Sequence, residues 1–382
     1  MIRVLAAALL LSGWTPGEAT SGPPAAARPR ARDAGVVTGI LPVGPRNAIT
    51  DVAGVRVGHA TVTEGSDLRT GVTVILAHPG NPFQEKVPAA VFVTNGFGKL
   101  TGISQIEELG TLETPVALTS TLSTWRVADA LAEWVLELPG NEEVQSVNPV
   151  VGECNDSFLS DTRRRAVGRE HVRRAIAAAH GATVEEGSVG GGTGTRCLGW
   201  KGGIGTASRR LPDALGGWTV GVLAQTNFGG VLSVAGVPVG QLLGRHAFRE
   251  ALEPPERGSC VVVIATDAPA DARQLRRLAA RTAMGLARVG GFASSGSGDY
   301  AIAFSTHPGL RVRTGAGSDV RVAPLADDDL SPLFLAVVES TEEAVLNSLF
   351  RATTVRGFRG READALPIRD VLELLRARDA LR

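Results

Sequence analysis

The sequence predicts a layered α/β domain of the α+β kind, formed as one unit from residue 36 to residue 382. Three observations carry this. Apolar runs of strand length are interleaved with stretches of helical spacing. Several strand candidates follow one another directly, as paired neighbours do. No shift in composition marks a boundary after residue 35.

Taken in order, residues 54–62 (GVRVGHATV) alternate like a half-buried strand, and residues 71–77 (GVTVILA) supply a partner across a polar, acidic turn. Residues 89–94 (AAVFVT) form a third strand that ends in the loop Asn95-Gly96-Phe97-Gly98. A short helix over 103–109 and a short strand over 116–119 follow. Val127, Leu131, Trp134 and Leu138 give 124–138 one apolar helical face. Residues 149–151 enter a strand that ends in the polar run Glu153 to Asp156, and 163–180 predict a helix with one basic face. The glycine-dense stretch 187–205 predicts tightly turning backbone packed against other layers. Residues 218–225 (WTVGVLAQ) form a strand that runs into Thr226-Asn227-Phe228-Gly229. A strand from Cys260, a helix over 272–289 and a strand over 300–305 come next. Ser331 as N-cap and Pro332 as first helical residue introduce the last long helix, with Phe334, Val338, Thr341, Val345 and Leu349 on its apolar face.

Bulk properties narrow the function. The 382 residues are 43% hydrophobic and 20% charged, enough for a sizeable core. Lys plus Arg equals Asp plus Glu at 39 each, so no basic field exists to hold a nucleic acid. Histidines show no metal-binding spacing, and Asp327-Asp328-Asp329 fits a solvated helix-entry turn; no metal or other cofactor is expected. Arg3, the apolar run 4–11 and the small residue Ala19 predict a signal peptide over 1–19, cut after Ala19 or nearer Ala27, and a flexible leader over 20–35. The product is expected in the periplasm or secreted, with no membrane association after signal removal. Three cysteines, Cys154, Cys197 and Cys260, leave at least one thiol free in an exported chain; Cys260 reads as a small buried hydrophobe.

Phosphate-loop patterns fail. Lys201 is followed by Gly202, and Gly296-x-Gly298-x-x-Ala301 precedes a strand where a dinucleotide fingerprint needs a helix. No G-x-S-x-G elbow exists. The dipeptide Gly258-Ser259 stands where a polar, Pro-containing stretch meets a β-branched run. A Ser there can attack the carbonyl before it, leaving Ser259 with a free α-amine as nucleophile and base in one residue. Taken alone, the dipeptide is better read as a plain turn into a buried strand, because Gly-Ser turns are common. The turn Gly296-Ser297-Gly298-Asp299 exposes a hydroxyl and a carboxylate together just before a strand.

Six segments in order complete the pattern: PVVGECND (149–156), GGGTGTRCLGWKGGIGTASRR (190–210), LAQTNFG (223–229), GSCVVVIATDAP (258–269), SGDYAIAFST (297–306) and ESTEEAVLNSL (339–349). Together they resemble the DmpA-type family of L-aminopeptidase/D-amidase/D-esterases and β-peptidyl aminopeptidases, over nearly everything from residue 35 onward. The resemblance implies an αββα sandwich like that of N-terminal-nucleophile hydrolases, and self-cleavage between Gly258 and Ser259 into chains 36–258 and 259–382. It implies an assembly of several cleaved pairs, and a small peptide, amide or ester substrate with a free amine. By motif position, Ser259 is the nucleophile, Ser297 and Asp299 orient it or relay protons, and Asn227 donates to the oxyanion. Glu153 holds the substrate ammonium, with an ordinary ion-pair role as the alternative, and Asn155 stands where some relatives carry an oxyanion-assisting Tyr, its side-chain amide donating instead. On this reading the substrate is an α-L-, D- or β-amino acyl compound. Acyl transfer of the ornithine acetyltransferase type and a non-catalytic binding protein of the same fold are the rival functions.

Overall fold

The computed structural model describes residues 28–249, 258–315 and 322–381. The signal peptide expected over 1–19 and the leader up to residue 27 lie outside the described residues.

Strand β1 (Arg56–Glu64) and β2 (Leu68–Leu76) form the expected hairpin, and β3 (Glu85–Gly96) runs long before helix α1 (Ile103–Leu109). Then come β4 (Thr111–Leu112), β5 (Val116–Ser120), helix α2 (Thr124–Leu136) and β6 (Val150–Cys154). The helix expected over 163–180 is only α3 (Arg169–Ala177). Arg165 at φ 47° and the extended Gly168 break the backbone ahead of it, whatever the charge pattern suggests.

The glycine-dense stretch carries a turn at Gly190–Gly192, the two-residue strands β7 (Arg196–Cys197) and β8 (Trp200–Lys201), and β9 (Gly203–Arg210). Strand β10 (Thr219–Asn227), helix α4 (Val239–Leu242), β11 (Ser259–Thr266), helices α5 (Ala272–Ala280) and α6 (Thr282–Arg288), β12 (Gly298–Ser305) and β13 (Val312–Arg313) follow. The single helix expected over 272–289 is thus two, which meet at Arg281. Helix α7 (Ser331–Arg351) starts one residue early: a 3-10 turn over Asp327–Leu330 leads straight into it, so Leu330 and not Ser331 is the cap. Helix α8 (Ile368–Arg376) ends the chain.

The strands make two principal sheets. One has the order β1-β2-β5-β6; the other runs β13-β3-β12-β11-β10-β9, with β4 on β3. Strand alternation sorts three apolar layers. Val261 and Val263 of β11 meet Leu118 and Val150 between the sheets. Val262 and Ile264 face the opposite way, onto Leu275, Leu346 and Leu349 of α5 and α7. Val72, Val74 and Val151 pack outward on Leu131, Val172 and Ala175 of α2 and α3. The architecture is an αββα sandwich. Helix α7 approaches the large sheet closely at Gly205, where a Cβ would lie 1.9 Å from the carbonyl oxygen of Ala344.

The chain is held from Arg28 onward. Arg28 donates to the carbonyls of Phe350 and Leu366, and Arg30 to that of Thr206. Beneath this strap Arg209, wholly buried, bridges Glu339 at 2.9 Å and Glu343 at 2.8 Å. No helix among the described residues is long and apolar enough to cross a membrane.

Candidate active site

Three neighbouring strand ends converge. Antiparallel register sets Asn227, the last residue of β10, opposite Ser259, the first of β11. Parallel register sets Gly298 of β12 opposite Ser259 and Asp299 opposite Cys260. The end of β6 in the other sheet closes the group, and the Cys154 thiol lies 3.5 Å from the Ser259 carbonyl oxygen.

Ser259 is buried, and its hydroxyl meets two donors. The backbone N–H of Asn155 lies 3.3 Å from Oγ, and Nδ2 of Asn227 lies 3.4 Å from it. Asn227 Nδ2 also donates to the Asn155 carbonyl at 3.1 Å, while Asn227 Oδ1 accepts the Arg196 N–H at 3.0 Å. The amide is therefore held at both ends, which fixes its orientation. The Asn155 side chain points elsewhere: exposed, it accepts the Ser157 N–H in an Asx-type turn. The expectation that its side-chain amide donates does not match this geometry; the main chain does it.

Gly258 sits where a Cβ would meet the Phe228 Cα at 2.8 Å, so the approach to Ser259 admits no side chain there. The Gly258 carbonyl accepts the Gly298 N–H at 3.3 Å. The segment 250–257 before it lies outside the described residues.

Ser297 and Asp299 are paired with each other, the hydroxyl donating to Asp299 Oδ1 at 2.8 Å. Their link to β11 runs through the backbone, where the Cys260 N–H faces the Asp299 carboxylate. Burial pushes this carboxyl up to about 6, against the hydrogen bond from Ser297. Its Oδ2 is buried without a hydrogen-bond partner. Asn95 holds the turn from the other side, donating to the Ser294 carbonyl at 2.9 Å.

Glu153 is buried at 3% exposure. Oε1 accepts the Lys99 N–H at 3.1 Å, with Lys99 Nζ at 3.6 Å, and Oε2 is buried without a partner. The loop above it is set by Tyr300, whose hydroxyl donates to the Gly98 carbonyl at 2.8 Å. A half-open acceptor of this kind suits a cation entering from outside. A cavity of about 210 Å³ lies beside Asp299, walled by Phe228, Ala283, Leu286, Ala287 and Phe292.

The strand ends gather the residues singled out from the sequence, Ser259, Asn227, Glu153, Ser297 and Asp299, into one region. Sequence reasoning did not single out Asn95, Lys99, Arg196 and Tyr300 beside them; Lys99 and Arg196 act through their backbone N–H groups. The signal for Tyr300 was its rarity, being the only tyrosine in the chain.

The model of peptidase family S58 matches residues 47–363. Beta-peptidyl aminopeptidase BapA of Sphingosinicella microcystinivorans is 39% identical, with 94% of this chain and 95% of that protein covered. The enzyme of the same name from Sphingosinicella xenopeptidilytica is 38% identical, with 92% of each covered. Among solved structures, the L-aminopeptidase D-Ala-esterase/amidase of Ochrobactrum anthropi superposes with a TM-score of 0.85 at 36% identity, over 93% of this chain and 100% of that one. It is described as a prototype for the serine aminopeptidases and as a variant of the Ntn hydrolase fold. A Burkholderia beta-aminopeptidase superposes at 0.84 with 43% identity, over 91% of this chain and 98% of that one. Fold, matched span and relatives agree: the chain belongs to peptidase family S58 and is a hydrolase of the aminopeptidase class.

Proposed function

We propose that this chain is an exported, self-processing serine aminopeptidase and amidase that works through an acyl-enzyme on Ser259. The single observation that carries the reading is the Ser259 hydroxyl, buried at a strand start with two N–H donors converging on it. In the precursor Oγ attacks the Gly258 carbonyl carbon, whose oxygen already accepts the Gly298 N–H. The C–N bond breaks, an ester forms, and water releases the Gly258 carboxylate. The freed Ser259 α-amine has an ordinary pKa of about 7.7–8.0, so part of it is neutral near pH 7.5 and accepts the Oγ proton in turnover.

A substrate's ammonium then sits on Glu153, and its scissile carbonyl lies over Oγ. The Asn155 N–H and Asn227 Nδ2 meet the charge that develops on the carbonyl oxygen. The apolar cavity beside Asp299 favours an uncharged acyl side chain. Export follows from the N-terminal signal pattern.

Intact-mass spectra of the wild type and Ser259→Ala test this directly. Two chains in the wild type, one beginning at Ser259, and one uncut, inactive chain in the variant are expected. An uncut wild type that still hydrolyses amino acyl p-nitroanilides would sink the mechanism.

A further inference from the structure

Lys201 and Asp156 lie behind the candidate nucleophile and have no part in the scheme above. Both are wholly buried. Lys201 Nζ donates to the carbonyls of Gly192 and Gly202, at 2.8 Å each. These carbonyls bracket the segment that carries β7 and β8. Thr195 Oγ1 shares the Gly192 carbonyl at 3.0 Å, and the Gly202 N–H returns to the Thr195 carbonyl at 3.1 Å. One ammonium thus closes the hairpin in which Arg196 is the cross-strand partner of Lys201. The Arg196 N–H is the group that holds Asn227 Oδ1, and with it the direction of Asn227 Nδ2.

Asp156 controls the other donor. It follows Asn155 in sequence, and its Oδ1 accepts the Ser120 hydroxyl at 2.7 Å. Its carbonyl accepts the N–H groups of Leu159 and Ser160 at 3.1 and 3.0 Å, which shapes the turn leaving β6. The Asn155 N–H on Ser259 is therefore one residue from a side chain pinned to β5. The Asp156 charge also reaches Lys201. Burial pushes the Lys201 ammonium down to about 7, and the Asp156 charge opposes that push. Burial raises the Asp156 carboxyl to about 6, against the neighbouring hydroxyls of Thr70 and Ser120.

We infer that Lys201 and Asp156 are positioning residues that set the two N–H donors on Ser259, Lys201 through Arg196 and Asn227, Asp156 through the Asn155 backbone. The inference rests on the reading of Ser259 as nucleophile. It needs no contact between either residue and substrate, so the loss should fall on kcat and spare KM.

The full chain is assayed with β-alanyl and L-alanyl p-nitroanilide, as Lys201→Met, Asp156→Asn and the double variant. Losing an oxyanion donor outright costs about 10²–10³ in rate, so a displaced donor should cost about 10–100-fold in kcat, with KM within about threefold. The double variant should keep kcat as low as that of the slower single variant. Wild-type kcat in the double variant, or a rise in KM at unchanged kcat in the singles, overturns the inference. Should Lys201→Met fail to fold, Asp156→Asn and Ser120→Ala carry the test, and unchanged kcat in both is equally fatal. Ser259→Ala separates the two levels. Its activity would remove the nucleophile reading itself, whereas an inactive Ser259→Ala beside fully active Lys201→Met removes only the positioning role.

Discussion

Two regions of this molecule bury charge, and they treat it in opposite ways. Under the N-terminal strap, Arg209 binds Glu339 and Glu343, Arg32 adds a bond to Glu343 at 2.7 Å, and Glu339 Oε1 accepts the Ile40 N–H at 2.8 Å. Burial alone would raise the Glu343 carboxyl, but the Arg32 hydrogen bond and the Arg209 and Arg32 charges hold it below the usual range. At the strand ends around Ser259, Glu153 Oε2, Asp156 Oδ2 and Asp299 Oδ2 are buried without hydrogen-bond partners. At Asp156 and Asp299 burial wins, and each carboxyl is pushed up to about 6. A completed network serves the fold. Acceptors left open beside a nucleophile are available to a substrate or a proton, and they make the site costly to keep.

The comparison breaks most readily at Arg209. Arg209→Met leaves Glu339 buried and only partly paired, which should cost about 3–5 kcal/mol of stability. Chemical denaturation measures it, while kcat/KM of the folded fraction stays within about twofold. A stability loss under 1 kcal/mol would mean the strap network is not a completed structural unit. At the other pole, Asn227→Ala removes a donor without unpairing a charge. It should lower kcat by about 10²–10³, roughly 2.7–4 kcal/mol of barrier, with a denaturation midpoint near wild type. A variant that loses stability but keeps kcat would place Asn227 among structural groups.

The two regions also differ in how far the sequence reveals them. Strand β1 announces itself by apolar alternation that its burial follows, and β2, β3, β11 and β12 by apolar runs that the sandwich buries on both faces. The candidate nucleophile, Asn227 and Glu153 were legible because family-like motifs end at strand termini. At Asn155 the backbone N–H and not the side chain faces Ser259, and a backbone N–H carries no side-chain signature. Arg196 and Lys201 were hidden in a glycine-rich stretch whose close approaches bring the chain onto distant elements. The strap was illegible for the same reason. Arg28 and Arg30 look like leader composition, and partners far along the chain, the carbonyls of Thr206, Phe350 and Leu366 among them, give them a place. The break at Arg281 and the short α3 follow from backbone conformation, which periodicity does not encode.

The sharpest form of the contrast is a substitution that improves the fold and harms the site. Asp299 is raised in the folded protein, so its neutral form is the one the fold prefers. Its contribution to stability is present below the ordinary carboxylate range near pH 4 and is lost as pH rises through about 6. Asp299→Asn keeps an oxygen for Ser297 and carries no charge. It should therefore gain on the order of 2 kcal/mol at pH 7.5, gain little at pH 4, and flatten the stability profile between the two. Activity should move the other way. If the Asp299 carboxylate relays protons around Ser259, kcat/KM of the wild type falls on the acid side with a midpoint near 6, and the variant loses that limb along with most of its rate. Denaturation curves at pH 4 and 7.5 beside a pH–rate profile decide it. An Asp299→Asn protein less stable than wild type at pH 7.5 would show that the carboxylate is part of a satisfied structural network, and the two regions would then not differ in kind.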